Sequence, residues 1–173
     1  MEKTVKENKV YSGKIFDVYS NTVEVSGELT VRDIIVHHGG VCVLPIDDEK
    51  NVYLVRQYRS GAGESLLEIP AGKLEKGEDI LSCAVRELSE ETGFSADNIT
   101  SLGFIYPTPA YVSEKIYIYL AKGLKSGEAH PDEGEELDVI KLPFEKCLDM
   151  IKNGEICDAK TVVALLRAEK ELI

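Results

Sequence analysis

Four glutamates and one arginine crowd a short part of this 173-residue chain, around the run VRELSEETGF. Glu87, Glu90 and Glu91 are almost consecutive, and Glu78 lies just upstream of Arg86. Carboxylates held close together repel one another unless a cation or a proton intervenes. They either form ordinary surface salt bridges with the arginine or hold a divalent metal ion, since Mg²⁺ and Mn²⁺ prefer oxygen ligands.

The helical periodicity of the segment distinguishes these acids. At about 100° per residue, the apolar side chains form a stripe of roughly 140° that should face the core, made of Ile80, Leu81, Ala84, Val85 and Leu88. Glu87 falls roughly 20° outside one edge of this stripe and Glu91 just inside it, whereas Glu90 lies further out. Like charges at i and i+4 destabilise a helix, and a solvated face should lie opposite the apolar stripe. A metal therefore explains Glu87 and Glu91 better than surface salt bridges do.

The run GKLEKGEDILSCAVRELSEETGF resembles the Nudix box, G-x5-E-x7-R-E-U-x-E-E-x-G-U, where U is a bulky aliphatic or aromatic residue. All nine specified positions match, and they are Gly72, Glu78, Arg86, Glu87, Leu88, Glu90, Glu91, Gly93 and Phe94. The resemblance implies a loop–helix–loop that binds Mg²⁺ or Mn²⁺ and hydrolyses a diphosphate linked to another moiety. It also implies an α/β/α sandwich of the α+β type with a mixed sheet.

The same resemblance implies roles for individual residues. Glu87 and Glu91 are expected to be metal ligands, together with the backbone carbonyl of Ala71. Glu90 is expected either to bind the metal or to hydrogen-bond to a water on it. The remaining box residues are expected to hold the loops in place, with the arginine paired to a carboxylate, and they are Gly72, Glu78, Arg86 and Gly93.

The flanking segments LVRQYR, LLEIPAGKLEKGE and DAKTVVALL resemble those of pyrophosphatases for ADP-ribose and nucleoside-diphosphate sugars. Pro109 follows Gly93 by 16 positions, the spacing of the ADP-ribose group, although that group usually has Ser-Pro-Gly where this chain has Thr-Pro-Ala. The expected reaction converts ADP-ribose to AMP and ribose 5-phosphate. The alternatives are another nucleoside-diphosphate sugar, a dinucleotide or a damaged nucleoside triphosphate as substrate, or a non-catalytic ADP-ribose sensor, which the complete box disfavours.

Arginine suits a diphosphate because its guanidinium is permanently charged and binds in a bidentate manner. Arg59 is the best candidate for this contact, whereas Arg56 and Arg32 are equally well explained as surface arginines of strands. Glu68 precedes the box on a predicted strand and is expected to contact substrate or metal, with a surface acid as the alternative.

Similar enzymes carry a general base on a loop after the box. The acidic run HPDEGEELDVIKLP is the matching segment here, because its Gly and Pro disfavour a helix and a strand pattern follows it. The family pattern puts the base at Glu135, with Glu133 and Glu136 as alternatives. A loop that is acidic only for solvation is the competing interpretation for any one of these residues.

The elements that must position these residues follow from periodicity and turn signals. Helices are predicted over 79–92, over 144–152 and from Asp158 onward. The runs 41–46 and 52–58 are predicted to pair as a hairpin. Further strands are predicted before the box and near the C-terminus, over 65–72, 115–122 and 136–143.

The N-terminal region alternates as short strands, and we expect it to be a β-extension over 1–37 that precedes a Nudix domain over 38–173. Similar ADP-ribose pyrophosphatases pair through this region and complete each substrate site with a residue of the partner. The resemblance therefore implies a homodimer, with Arg32 as a candidate contact across subunits.

The net charge and the composition of the chain exclude some classes of binding partner. A net charge of −11 argues against nucleic acid and anionic membrane surfaces, while a small diphosphate substrate remains possible because bound cations reverse the local field. No apolar run approaches a membrane span, and the N-terminus lacks an apolar signal segment. The four cysteines are widely spaced, which predicts buried thiols in a reducing cytoplasm.

Overall fold

The structure is a computed structural model, and it describes residues 1–131 and 136–172. Two compact units emerge, of which the first combines Met1–Gly39 with Tyr106–Lys115. The second combines Gly40–Ile105 with Ile116–Ile173. Over the part of the chain that is described, no helix is long and apolar enough to cross a membrane.

The first unit is an antiparallel sheet built around its longest pair of strands. Its strands are β1 (Glu2–Lys6), β2 (Lys9–Ser12), β3 (Phe16–Val25) and β4 (Glu28–His37). β4 pairs with the whole of β3, while β1 and β2 pair with different parts of β3. Ser26 and Gly27 both have positive φ, 54° and 86°, as the tight turn between β3 and β4 requires. The strands predicted in this region are therefore present.

The second unit contains two sheets. One is mixed, with the order β8-β5-β10-β9, and β5 runs parallel to β10. The other is antiparallel, with the order β11-β6-β7. The strands are β5 (Gly40–Pro45), β6 (Asn51–Arg59), β7 (Glu64–Glu68), β8 (Ala71–Lys73), β9 (Phe94–Ile105), β10 (Ile116–Ser126) and β11 (Asp138–Pro143). The predicted mixed sheet is confirmed, and a second sheet accompanies it.

The predicted hairpin between 41–46 and 52–58 is wrong. β5 and β6 belong to different sheets, and the single bridge between Ile46 and Val52 joins the ends of the two runs. All six residues of β5 are buried, because β8 and β10 occupy both of its edges and both of its faces are covered. A run that is apolar at every position indicates such a central strand, whereas a hairpin strand at a solvated edge would alternate.

Helices cover opposite faces of the mixed sheet. They are α1 (Ile80–Thr92), α2 (Phe144–Lys152) and α3 (Ala159–Leu172), close to the predicted bounds. Val41 and Val43 pack in one cluster with Leu88 of α1. The alternate residues of β5, Cys42 and Leu44, pack in the other cluster, which includes side chains of α2 and α3. Alternation along one strand thus builds the predicted α/β/α arrangement.

The predicted apolar stripe of α1 is partly wrong. Leu81 and Val85 are 44% and 46% exposed, whereas Glu87 and Glu91 are only 8% and 4% exposed. The buried arc is centred on the two carboxylates, not on the leucine and the valine. The hydrophobic pattern alone could not show this, because burial of an acid depends on partners that lie outside the helix.

The cysteine prediction holds in part. All four thiols are free, and Cys42, Cys83 and Cys147 are buried. Cys157 is exposed, which corrects the expectation of four buried thiols. It lies between α2 and α3, where the chain follows the surface.

Candidate active site

The ends of α1 are fixed by its flanking residues. Asp79 is the N-cap, and its carboxylate accepts a 3.0 Å hydrogen bond from the backbone N–H of Ser82. Gly93 ends the helix at a φ of 72°, a conformation that favours glycine. A Cβ at this position would also lie 2.8 Å from the nitrogen of Ala129. Two independent constraints therefore require glycine at the C-terminal end of the box.

Arg86 joins three carboxylates of the box. Its Nε donates to Glu78 Oε1 over 2.9 Å, and its Nη2 donates to Glu78 Oε2 over 3.1 Å. Its Nη1 donates both to Glu87 Oε1 and to Glu90 Oε2, each over 2.8 Å. The guanidinium thus ties the loop before α1 to two acids of the helix, which is the bracing contact expected for it.

The charges of this cluster stabilise one another. Hydrogen bonds from Arg86 lower the pKa of Glu78 to about 2, with a further contribution from the backbone N–H of Glu75. The hydrogen bond to Glu78 is also the largest cause of a raised pKa at Arg86. Both groups therefore remain charged across the pH range in which enzymes usually operate.

Glu87 and Glu91 pack against the backbone of β8. A Cβ built on Gly72 would lie 1.8 Å from the Cδ of Glu87, so only glycine leaves room for this carboxylate. The backbone N–H of Ala71 donates to Glu91 Oε2 over 3.1 Å. Two buried carboxylates of α1 thereby meet the strand that begins the box.

The donor set of this cluster suits a hard divalent cation. Glu87, Glu90 and Glu91 supply only carboxylate oxygens, which Mg²⁺ and Mn²⁺ prefer. The glycine at position 72 preserves the space that one of these carboxylates needs. Among residues 1–131 and 136–172, no three acids, histidines or cysteines are arranged closely enough to surround an ion. Arg86 Nη1 pairs with one oxygen each of Glu87 and Glu90.

A second charged cluster surrounds Glu68 at the end of β7. Arg59 binds it in a bidentate manner, with Nε to Oε1 at 2.8 Å and Nη2 to Oε2 at 2.7 Å. Lys160 of α3 contacts the same Oε2. Burial alone would raise the pKa of Glu68, but the bonds from Arg59 and the charge of Lys160 lower it overall. The hydrogen bond to Glu68 is the largest cause of a raised pKa at Arg59, and the negative charge of Glu91 adds a smaller contribution.

The weaker substrate candidates are Arg56, Arg32 and Pro109, and each is described within its own unit. Arg56 is exposed on β6, opposite Asp138 of β11. Arg32 belongs to the first unit, where its Nε donates to Glu2 Oε2 over 3.1 Å. Pro109 also belongs to the first unit and is exposed in a turn.

The candidate bases fall mostly outside the described residues. Glu133 and Glu135 lie outside them, while Glu136 is exposed just before β11. On the N-terminal side of this segment, the backbone N–H of His130 donates to the carbonyl of Glu90 over 2.9 Å. The backbone that begins the acidic segment therefore contacts α1 at one of the box glutamates.

Two polar groups near Arg59 were not predicted from the sequence. Lys160 was not singled out, although Asp158 was recognised as a helix start. Gln57, two residues before Arg59 on β6, holds the one buried side-chain oxygen or nitrogen that lacks a hydrogen-bond partner within the described ranges. Side chains two apart on a strand share a face, so the position of Gln57 beside Arg59 could have been inferred.

Comparisons with known proteins point to one family. The family model for the NUDIX domain matches residues 36–165. A methanol dehydrogenase activator from Bacillus methanolicus is 41% identical over 167 residues, which cover 95% of this chain and 90% of that protein. An ADP-ribose pyrophosphatase from Bacillus subtilis (strain 168) is 38% identical with the same coverage of both chains. The crystal structure of an ADP compounds hydrolase matches with a TM-score of 0.87 at 28% identity, over 99% of this chain and 94% of that one.

Proposed function

Because this chain belongs to the NUDIX family and is a Nudix hydrolase, we propose that it hydrolyses the diphosphate of ADP-ribose to AMP and ribose 5-phosphate. The observation that carries the chemistry is the cluster of Glu87, Glu90 and Glu91 around Arg86, with two of the acids buried against β8. The choice of substrate is supported by the similarity to the ADP-ribose pyrophosphatase over nearly the whole chain.

A divalent metal is the cofactor that Nudix hydrolases generally need, and we propose Mg²⁺ or Mn²⁺ for this chain. Glu87, Glu90 and Glu91 would hold it, with the carbonyl of Ala71 as a further ligand. When bound, the metal neutralises charge on the diphosphate and makes water a better nucleophile. Arg86 keeps the carboxylates in place through its bond to Glu78, which fixes the helix against the preceding loop. Gly72 leaves room for the carboxylate of Glu87, and Gly93 leaves room for the backbone of Ala129 at the end of α1.

Arg59 is proposed to bind the diphosphate. Glu68 holds its Nε and Nη2, which fixes the plane of the guanidinium, while the arginine side chain is still 39% exposed. A pre-oriented, partly exposed guanidinium binds an anion without first losing conformational freedom. Arg56, Arg32 and Pro109 are proposed as further substrate contacts.

Glu135 is proposed as the general base that takes a proton from the attacking water, with Glu133 and Glu136 as alternatives. A carboxylate can serve because charge on the metal already favours loss of that proton. The hydrogen bond from the backbone N–H of His130 to the carbonyl of Glu90 supports this role, because it attaches the start of the acidic segment to the helix that carries the box glutamates.

We further propose that the first unit mediates a homodimer in the cytoplasm. This unit exposes several large apolar side chains, and exposed apolar surface supports an interaction interface. These side chains are Val5, Val10, Tyr11, Ile15, Leu29, Val31 and Val36. The four free thiols support a reducing compartment.

A substrate panel tests the proposed reaction. ADP-ribose, GDP-mannose, UDP-glucose, NAD and a dinucleoside polyphosphate would be incubated with Mg²⁺ or Mn²⁺, and the products identified by chromatography. We expect the largest kcat/KM for ADP-ribose, with AMP and ribose 5-phosphate released in equal amounts. A larger kcat/KM for another nucleoside-diphosphate sugar would reassign the substrate, and binding of ADP-ribose without turnover would indicate a sensor.

A further inference from the structure

The carboxylate of Glu68 is shared between two cations. It is only 1% exposed, its Oε1 accepts from Arg59 Nε, and its Oε2 contacts both Arg59 Nη2 and Lys160 Nζ. The exposure of the two cations differs, since the side chain of Lys160 is 11% exposed and that of Arg59 is 39% exposed. Of this trio, Arg59 is therefore the member that a dissolved anion can reach.

The position of Lys160 is fixed by the start of α3. Its Nζ lies 3.1 Å from Asp158 Oδ1. The other oxygen, Asp158 Oδ2, accepts from the backbone N–H of Thr161 over 3.0 Å and from its hydroxyl over 2.6 Å. Thr161 Oγ1 in turn accepts from the backbone N–H of Ile69 over 2.9 Å. The first turn of α3 is thereby attached to the residue next to Glu68.

The negative charges of Asp158 and Glu68 are compensated in different ways. Asp158 is partly compensated by the helix N-terminus, where backbone N–H groups and the helix dipole stabilise a negative charge. Lys160 is therefore available to compensate Glu68. Without Lys160, Arg59 alone would compensate Glu68, and the pair would carry no net charge.

We propose that Lys160 is a positioning residue for the substrate diphosphate and that it acts through Glu68 and Arg59. By sharing the negative charge of Glu68, it lets Arg59 be held rigidly and still present a net positive charge to the diphosphate. This inference rests on the proposed function, because it concerns the binding of the same substrate.

Two variants change the charge of the network in opposite directions. Lys160→Met keeps the aliphatic stem and removes the charge, and we expect KM for ADP-ribose to rise about tenfold with kcat within about threefold of the wild type. Asp158→Asn keeps a good helix N-cap but removes a negative charge, and we expect KM to fall roughly threefold.

Two further variants serve as controls. Lys160→Arg retains the charge and should keep most of the affinity of the wild type. Lys152→Met, at an exposed lysine paired with Asp149 on α2, is the matched control and should change neither constant.

Direct binding of ADP without metal, measured by calorimetry, separates this inference from the proposed function. If the wild type did not hydrolyse ADP-ribose, the proposed reaction would fail, while the ADP affinities of the variants would still test the role of Lys160. An unchanged KM and ADP affinity in folded Lys160→Met would overturn the inference. Should Lys160→Met fail to fold, Asp158→Asn decides alone: tighter ADP binding supports the inference, and unchanged or weaker binding overturns it.

Discussion

The carboxylate of Glu87 occupies the space that a side chain at Gly72 would need. A Cβ at position 72 would lie 1.8 Å from both Cδ and Oε1 of Glu87. Glu87, the second glutamate of the box, thus packs directly against the backbone of β8. The glycine at the start of the box is required because of an acid 15 positions later, on a different element.

Gly72→Ala should lower the activity much more than the stability of the fold. The methyl group would force the carboxylate of Glu87 out of its position, and a flexible side chain can move at a modest cost, so the protein should still fold. We expect kcat/KM for ADP-ribose to fall at least about a hundredfold, as when one essential electrostatic group is lost. Steady-state kinetics and thermal unfolding measure the two effects.

Gly61→Ala is the matched control, because a Cβ there meets no atom within 4 Å and the residue does not have a positive φ. It should leave activity unchanged. Wild-type activity in folded Gly72→Ala would show that the position of Glu87 beside β8 does not matter for the reaction.

Acid should weaken the contact between Glu78 and Arg86 over a defined pH range. The pKa of Glu78 is about 2 in the folded protein, below its ordinary value of 4.5. A lowered pKa contributes stability that is fully present above pH 4.5 and is lost as the pH falls towards 2. At pH 7, Glu78→Gln should reduce the free energy of unfolding by about 1.5 kcal/mol, the lower end for a hydrogen bond to a charged group, because the pair is partly exposed.

Urea unfolding of the wild type and of Glu78→Gln from pH 7 to pH 2.5 measures this contribution. Other carboxylates titrate in both proteins and largely cancel in the difference. The difference should be constant above pH 4.5 and shrink below it. A difference that did not depend on pH would contradict the lowered pKa.

The Nudix box was the part of the molecule that the sequence predicted best. Periodicity and the helix-ending glycine predicted the bounds of α1 closely, with Gly93 at its end, because caps and glycines with positive φ are local requirements. The contact of Arg86 with carboxylates was also predicted. These features depend on residues within one short segment, so little tertiary information was needed.

Features that depend on distant contacts were missed. The exposure of Leu81 and Val85 could not be derived from the pattern of α1, which does not show what the helix packs against. The pairing of β5 with β8 and β10, not with β6, likewise depends on strands far along the chain. Lys160 meets Glu68 across 92 positions, a separation at which a single sequence gives no pairing signal.

Glu135→Gln should lower kcat more than it changes substrate affinity. A general base acts on the attacking water and not on the ground-state diphosphate, and general-base catalysis contributes roughly a hundredfold or more. We expect a loss of kcat of that order with KM within about threefold, measured with ADP-ribose. Glu133→Gln and Glu136→Gln provide the comparison. If kcat were unaffected in Glu135→Gln, the role of general base would pass to Glu133 or Glu136, according to which variant shows the loss of kcat.

The proposed dimer predicts a mass of about twice 19.1 kDa by light scattering. Leu29 and Val31 are exposed on one face of β4, at 66% and 56%. Replacing both by lysine places charges in the proposed apolar interface, and we expect the double variant to be monomeric. Leu166→Lys, at an exposed leucine of α3, should remain a dimer. A wild type that is monomeric would exclude Arg32 as a contact across subunits.

Turnover of ADP-ribose by Glu91→Gln tests the central claim most directly. The glutamine keeps an oxygen that can accept from Ala71 N–H, so the fold should persist with a melting temperature near that of the wild type. Glu145→Gln, at an exposed acid of α2, is the matched control. With Mg²⁺, we predict that the wild type and the control release AMP and ribose 5-phosphate in equal amounts, and that Glu91→Gln is at least about a hundredfold slower. Near-normal release of both products by folded Glu91→Gln would contradict the assignment of the carboxylate cluster as the metal site.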